Sequence, residues 1–111
     1  MAKKELKKIY KVIENFFKER EIQLYDVILF GSAAKNKNIG FNDIDLILLS
    51  KSFRGKEFDE KIKMVNGINR ELVSKFKIPF DILFYSDYEW RKNDSLILQE
   101  AQKYGYSLKS K

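Results

Sequence analysis

The chain has 111 residues, a hydrophobic content of 44% and a formal net charge of +6, from 22 Lys and Arg residues against 16 Asp and Glu residues. This length fits a single domain, and the hydrophobic content excludes an intrinsically disordered chain. Cysteine and histidine are absent, which excludes disulfides, thiolate metal sites and histidine as a general base. A bound metal would therefore need oxygen ligands, which favour hard cations such as Mg²⁺ or Mn²⁺.

The positive charge favours polyanionic partners such as nucleotides, nucleic acid or an acidic protein. The alternative is a solvated, lysine-rich surface, since the lysines are spread over several segments and form no single block. No apolar run reaches the roughly 18 residues of a membrane span, and the N-terminal sequence MAKKELKK lacks the apolar segment of a signal peptide. We therefore expect a cytoplasmic protein with no membrane partner.

Two elements are predicted before the first turn-rich segment. Apolar residues recur at spacings of three and four over residues 4–20, which predicts an amphipathic helix. Residues 24–30, LYDVILF, form a short apolar run that predicts a buried strand ending at Gly31. Ser32 then lies at the N-cap position of a short helix, and residues 36–42, NKNIGFN, are typical of a turn.

Two further strands flank a long helical segment. Residues 43–50, DIDLILLS, predict the second strand, and residues 80–86, FDILFYS, predict the third. Between them, an apolar stripe at helical spacing predicts one helix over about residues 57–76, weakened at Gly67 by roughly 1 kcal/mol relative to alanine. Pro79 prevents that helix from continuing into the third strand.

The C-terminal segment predicts a last helix over about residues 88–103, capped by Ser86 or Asp87. Gly105 ends this helix, and the residues after it can add a short terminal strand. The candidate core positions of the helix are Trp90, Ile97 and Ala101. The order of elements predicts one α/β (α+β) domain over residues 1–111, with helices covering a small β-sheet.

Three carboxylates lie at the heads of the second and third strands. Because side chains alternate along a strand, Asp43 and Asp45 point to the same side, and Asp81 can face the same spot if the two strands are neighbours. Three clustered anions with no nearby His or Cys need one or two divalent metal ions to be tolerable. The structural alternatives are a strand cap for Asp43, an edge-strand charge for Asp45 and a strand terminus for Asp81.

The turn at Gly31 and Ser32 has the features of a phosphate site. Backbone N–H groups at a helix N-terminus bind anions, and glycine lets the backbone approach a phosphate closely. Ser32 adds a hydroxyl donor, and Lys35 follows one helical turn later, as a phosphate contact or as a solvated lysine. Ten residues, 33–42, separate this turn from Asp43.

The whole arrangement, strand–GS–x10–DxD–strand followed by an Asp on a later apolar strand, resembles the DNA polymerase β-like nucleotidyltransferase superfamily. The sequence motif FGSAA…NDIDL is most similar to the motifs of the minimal nucleotidyltransferase (MNT) proteins in this superfamily. The resemblance implies a polymerase β-like palm, a small mixed β-sheet with helices packed on it. It also implies that Gly31 and Ser32 hold the triphosphate and that Asp43, Asp45 and Asp81 bind metal, with Asp81 able to act as the base.

Three positions depart from the family pattern. Lys35 stands where relatives usually carry arginine, so a bidentate grip on phosphate becomes a point-charge contact. Asn36 replaces a common glycine, and Asn42 replaces the usual serine before the first aspartate. None of these changes removes a catalytic carboxylate.

The resemblance implies a Mg²⁺- or Mn²⁺-dependent, adenylyltransferase-like enzyme that moves AMP from ATP to an acceptor hydroxyl. It also implies an antitoxin role, with a HEPN-domain toxin as the partner protein. The alternative function is a binding module that neutralises or scaffolds its partner, and nucleic acid binding through the net charge is a weaker third option. Aromatic residues in the C-terminal third predict either a docking patch or core packing: Tyr85, Tyr88, Trp90, Tyr104 and Tyr106.

Overall fold

The computed structural model of the protein describes residues 3–31 and 43–109. Within these ranges the chain forms five α-helices and four strands, with one short 3₁₀-helix at Lys51–Phe53. In chain order the elements are α1 (Lys3–Glu19), β1 (Leu24–Phe30), β2 (Ile44–Ser50), α2 (Phe58–Met64), α3 (Ile68–Phe76), β3 (Phe80–Tyr85), α4 (Asp87–Lys92), α5 (Leu96–Tyr104) and β4 (Tyr106–Ser107). All four strands join one sheet, so the predicted α+β class is confirmed.

The sheet is mixed and has the strand order β3-β2-β1-β4. The inner strand β1 is antiparallel to both of its neighbours, β2 and β4, whereas β2 and β3 are parallel. The parallel pair is connected by α2 and α3, as a parallel pair requires a crossover connection. The same pair places the heads of β2 and β3 side by side, which sets the position of the carboxylates.

Both faces of the sheet are covered, because the side chains of β2 alternate between two hydrophobic clusters. Ile44, Leu46 and Leu48 point to the first face, where they pack with α1 and α3. Ile47 and Leu49 point to the second face, where the buried partners come from β1 and α5: Ile28, Leu98 and Ala101. Asp45 shares the second face with Ile47 and Leu49, beyond the end of the apolar cluster.

The helix predicted over about residues 57–76 is wrong in one respect, because the structure divides it into α2 and α3. Gly67 has φ of +99° and is the N-cap of α3, a left-handed conformation that glycine adopts at low cost. Phe58, expected on the apolar stripe, is 63% exposed. The sequence predicted a weakened helix at Gly67, whereas in the structure the first helix has ended before Gly67 and a second helix starts after it.

The last predicted helix is also divided, into α4 and α5. Asn93 ends α4 in the left-handed conformation with φ of +54°, and the Ser95 side chain caps α5 by accepting from the Leu98 amide at 3.1 Å. Because α5 is a separate helix, the side that it buries differs from the predicted one: Leu98 is buried and Ile97 is exposed. Ser86 caps α4 with a capping box that includes Glu89, so the prediction of a cap at this position is confirmed.

Backbone carbonyl oxygens of the edge strand β3 accept hydrogen bonds from two side chains. Asn69 donates from Nδ2 to the Phe80 carbonyl oxygen at 2.9 Å. Lys61, a buried lysine, donates from Nζ to the Phe84 carbonyl oxygen at 3.2 Å and to Glu89 Oε1 at 2.8 Å. Two helices thus satisfy backbone acceptors of a strand that has only one neighbour in the sheet.

None of the helices in the described ranges is long and apolar enough to cross a bilayer.

Candidate active site

Asp45 and Asp81 lie side by side at the heads of the two parallel strands. The register of β2 and β3 pairs Asp45 directly with Asp81, so both side chains leave the same face of the sheet. Neighbouring strands are about 4.8 Å apart, which places the two carboxyl groups in direct contact range. The prediction that these two aspartates share one face of adjacent strands is confirmed.

The pair carries like charges in a partly desolvated position. Partial burial raises the pKa of Asp45, the charges of Asp81 and Asp43 raise it further, and so does a hydrogen bond that the protonated Asp45 carboxyl donates to Asp81. Neither Asp45 nor Asp81 forms an ion pair with a lysine or arginine of the described residues. This part of the protein thus holds negative charge that its described residues do not neutralise.

Asp43 lies one residue before β2 and is exposed to solvent. It acts on Asp45 through its charge, yet it does not close a compact triad with the other two. Among residues 3–31 and 43–109, no three acidic side chains converge tightly enough to hold a metal ion as they stand. The structure therefore brings together two of the three predicted carboxylates and places the third beside them.

Gly31 borders the pair from the end of β1. Its φ is +74°, and a Cβ added there would lie 2.2 Å from Oδ2 of Asp45. The preceding residue, Phe30, is the strand partner of Asp45. Position 31 therefore needs glycine for its backbone angle and for the space that the carboxylate occupies, a close approach that the sequence pattern did not reveal.

The other predicted phosphate contacts, Ser32 and Lys35, lie outside the described residues, as do Asn36 and Asn42.

The chemistry of the described site fits a hard divalent cation. Asp43, Asp45 and Asp81 are acceptor-only oxygen donors when ionised, and such ligands suit Mg²⁺ and Mn²⁺. Burial is the largest cause of the raised pKa of Asp45, and the charges of Asp81 and Asp43 add to it. A cation placed among these carboxylates would oppose the contribution of the like charges. The metal site predicted at these three residues stays a prediction.

A second buried carboxylate, Asp87, lies just past the opposite end of β3. Its side chain has no exposed surface and contacts two guanidinium groups. Arg54 donates from Nε to Oδ1 at 2.8 Å and from a terminal nitrogen to Oδ2 at 2.5 Å, and Arg91 donates to Oδ2 at 3.3 Å. These contacts, led by the Arg54 hydrogen bonds, lower the pKa of Asp87 to about 2.

The predicted aromatic docking patch is divided by the structure. Tyr85 and Trp90 pack against the cluster on the second face, whereas Tyr88 is exposed and lies against the Arg54 guanidinium, 3.7 Å from its ring centroid. Tyr104 and Tyr106 of the predicted patch are 49% and 36% exposed. The helix α5 adds two exposed apolar side chains, Leu96 and Ile97, which are 83% and 47% exposed.

The domain is a small mixed sheet whose paired strand heads present Asp45 and Asp81 next to Gly31. The model of the family described as "Polymerase beta, Nucleotidyltransferase" matches residues 11–111, and the chain belongs to this family. The predicted resemblance is thereby confirmed. No functionally curated protein matches the chain in sequence.

Solved structures share the fold at low sequence identity. A putative nucleotidyltransferase from Sulfolobus solfataricus is 16% identical, with 95% of this chain and 80% of that chain covered and a TM-score of 0.59. A toxin–antitoxin structure with AMP-PNP is 19% identical, with 88% and 70% covered and a TM-score of 0.56. A mutant of the toxin–antitoxin MntA-HpeT is 15% identical, with 97% and 72% covered and a TM-score of 0.56.

Proposed function

We propose that this chain is a metal-dependent nucleotidyltransferase that transfers AMP from ATP to an acceptor hydroxyl. The observation that carries the proposal is the in-register pairing of Asp45 with Asp81 against the backbone of Gly31. The pair supplies oxygen ligands for a hard cation, and the glycine supplies a backbone that a phosphate can approach. Membership of the nucleotidyltransferase family supports this assignment.

Each residue has a defined role in the proposed reaction. A bound Mg²⁺ or Mn²⁺ would supply positive charge that offsets the negative charge of the reacting triphosphate. Asp43, Asp45 and Asp81 are the proposed metal ligands. The acceptor oxygen forms a bond to the α-phosphorus, the bond from the α-phosphorus to the α,β-bridging oxygen breaks, and pyrophosphate leaves. Asp81, exposed at the strand head, takes the proton of the acceptor hydroxyl.

The phosphate contacts of the proposal come from the turn after β1. Gly31 and Ser32 are proposed to hold the triphosphate through backbone N–H groups and the serine hydroxyl. Lys35 adds a point charge in place of the arginine that relatives carry. Among these residues, the close approach of Gly31 to Asp45 supports the arrangement, since it joins the phosphate turn to the carboxylates.

We further propose that the acceptor hydroxyl belongs to a HEPN-type toxin and that the chain acts as its antitoxin in the cytoplasm. Two structural neighbours are toxin–antitoxin structures, and one of them was solved with AMP-PNP. The exposed side chains of Leu96, Ile97 and Tyr104 on α5 offer an apolar contact surface. That helix covers the second face of the sheet, the face from which the aspartates project.

Co-expression with the protein encoded by the adjacent gene tests the proposal. Mass spectrometry of that protein is expected to show an added AMP, and labelled ATP with Mg²⁺ is expected to label it in vitro. The Asp45→Asn variant should abolish the modification without preventing complex formation. Absence of AMP on a bound, folded partner would contradict transfer, and efficient transfer to a small molecule by the isolated chain would contradict the protein acceptor.

A binding module that neutralises its partner without chemistry is the second candidate. It is favoured by the α5 surface, which needs no metal or nucleotide to contact a partner. In that case Asp45→Asn should protect cells from the toxin as well as the wild type does. Substitution of Leu96 and Ile97 by serine should instead remove protection, because it removes the apolar contact.

A further inference from the structure

The outer surface of α1 is rich in lysine side chains. Leu6, Ile9 and Ile13 anchor the buried side of this helix, together with Phe16 and Phe17. Six exposed lysines, which we call the lysine face, lie on the opposite side: Lys3, Lys4, Lys7, Lys8, Lys11 and Lys18. At 3.6 residues per turn they occupy a sector of about 140° and extend over about 22 Å of helix.

Little negative charge opposes these lysines. Glu14 is the single acidic residue of α1 within that sector, and it pairs with Lys11 at 3.3 Å. Within the described ranges, the other five lysines of the lysine face form no ion pair. Neighbouring like charges at spacings of four, such as Lys3–Lys7 and Lys4–Lys8, repel one another and destabilise a helix. An external polyanion would remove this repulsion.

The side chains of the lysine face select the kind of polyanion. The sector contains lysines, one glutamate and Asn15, and no aromatic ring on which an unpaired base could stack. A duplex carries one phosphate charge for about every 1.7 Å of its axis and binds lysine by counterion release. The lysine face therefore fits a base-paired nucleic acid better than a single strand.

The shape of the helix distinguishes between the two kinds of duplex. Lysines stand at both margins of the lysine face, with Lys3 on one side and Lys8 on the other. The major groove of B-form DNA is about 12 Å wide and admits an α-helix with phosphates on either side, whereas the major groove of A-form RNA is too narrow. We propose that the lysine face of α1 binds duplex DNA through its phosphates, without reading its sequence.

This proposed surface is separate from the candidate active site. The helix α1 packs on the first face of the sheet, whereas Asp45 and Asp81 leave the second face. DNA binding and nucleotide transfer can therefore be measured independently, and neither result depends on the other.

Fluorescence anisotropy with a labelled 24-base-pair DNA of mixed sequence tests the proposal. With the five lysines that form no ion pair within the described ranges, the slope of log affinity against log salt is expected to be about −4.5, a loss of roughly 500-fold between 50 and 200 mM salt. The triple variant Lys4→Ala, Lys8→Ala, Lys18→Ala should reduce the magnitude of the slope by about 2.7. Alanine favours helix, so α1 is expected to stay folded.

A matched triple variant controls for net charge. Lys56→Ala, Lys92→Ala, Lys103→Ala removes the same charge from exposed lysines of other segments and should leave the slope nearly unchanged. If circular dichroism shows that the alanine variant of α1 is unfolded, glutamine at the same three positions replaces it. Equal losses in the two sets, no binding at 50 mM salt, or tighter binding to single-stranded DNA or duplex RNA would overturn the proposal.

Discussion

Two buried or half-buried carboxylates at opposite ends of β3 have opposite electrostatic environments. Asp45 faces another aspartate, and its pKa is raised. Asp87, the first residue of α4 after the opposite end of β3, is held by the Arg54 guanidinium, and its pKa is lowered to about 2. The protein thus neutralises the carboxylate that joins its elements and leaves unneutralised the pair that is open to a ligand.

The two environments indicate a stabilising role for Asp87 and a functional role for Asp45. A buried carboxylate with a bidentate arginine partner is a strong local constraint, and removal of its partner leaves a charge that water cannot reach. Like charges in contact do the reverse, since they cost free energy unless a ligand compensates for it. A carboxylate whose pKa is raised in an accessible position is therefore a candidate for a functional site.

The largest expected effect is the loss of nucleotide chemistry at Asp45. We expect Asp45→Asn to reduce AMP transfer at least about 1,000-fold, because it removes a central metal ligand worth several kcal/mol of transition-state stabilisation. The double variant Asp43→Ala, Asp45→Ala should also lose the rise in melting temperature caused by ATP with Mg²⁺, which corresponds to about 2.7 kcal/mol at a hundredfold excess over Kd. Asp59→Asn, at an exposed site on α2, is the matched control.

The nucleotide-free variants sharpen that test. Removal of clustered like charges relieves repulsion, so the double variant should unfold at a urea concentration no lower than the wild type does. A large loss of stability without nucleotide would show that Asp43 and Asp45 have a structural role instead.

The next effect is on stability at the opposite end of β3. Arg54→Met is expected to lower the free energy of unfolding by about 2–4 kcal/mol, because the fully buried Asp87 then keeps only Arg91. Arg91→Met is the control, and its exposed single contact should cost no more than about 1 kcal/mol. Urea denaturation of the two variants measures the difference, and equal losses would contradict the special role of Arg54.

A smaller difference is expected between two glycines with similar backbone angles. Gly31 and Gly55 have φ of +74° and +70°, yet an added Cβ meets Asp45 at position 31 and nothing within 4 Å at position 55. Gly31→Ala should therefore cost about 1–3 kcal/mol more than Gly55→Ala. It should also impair nucleotide transfer, because the methyl group displaces the Asp45 carboxylate. Similar stability and activity of the two variants would contradict that contact.

The smallest effect is the pH dependence of stability. The lowered pKa of Asp87 stabilises the folded state above its ordinary value of 3.8, and this contribution is lost as the pH falls towards about 2. The raised pKa of Asp45 acts in the opposite direction. Its ionised form opposes folding above its folded pKa, and protonation relieves this as the pH falls towards 3.8.

Urea unfolding between pH 2 and 7 separates these two contributions. Asp45→Asn should remove the rise in stability on acidification from neutral pH and leave the loss at lower pH that belongs to Asp87. An unchanged pH profile in the Asp45→Asn variant would contradict the assignment.

The sequence predicted the strands better than the helices. The apolar runs of β1, β2 and β3 are short, and their ends are marked by Gly31, by the aspartates and by Pro79. The helices predicted over residues 57–76 and 88–103 are each divided, at Gly67 and at Asn93. Each of these residues has a left-handed backbone conformation, although the apolar pattern of the sequence continues beyond it. Helical spacing therefore indicated the amount of helix and did not locate the interruptions.

The site was predictable where local rules apply. Strand alternation places Asp43 and Asp45 on one side, but the pairing of Asp45 with Asp81 depends on the register of two strands separated by two helices. The contact between Arg54 and Asp87 joins residues 33 positions apart and has no sequence signal, since any of 22 basic residues could have been the partner. Contacts of this kind are decided by the tertiary packing.

The donors that Asn69 and Lys61 direct at β3 also bear on how this chain behaves at high concentration. A strand with open backbone groups is a template for another chain, and repeated addition leads to fibrils. Here one margin of the sheet is occupied by side chains, and the other ends in the two-residue strand β4, too short to direct the addition of another strand. Polymerisation through sheet extension is therefore disfavoured at both margins.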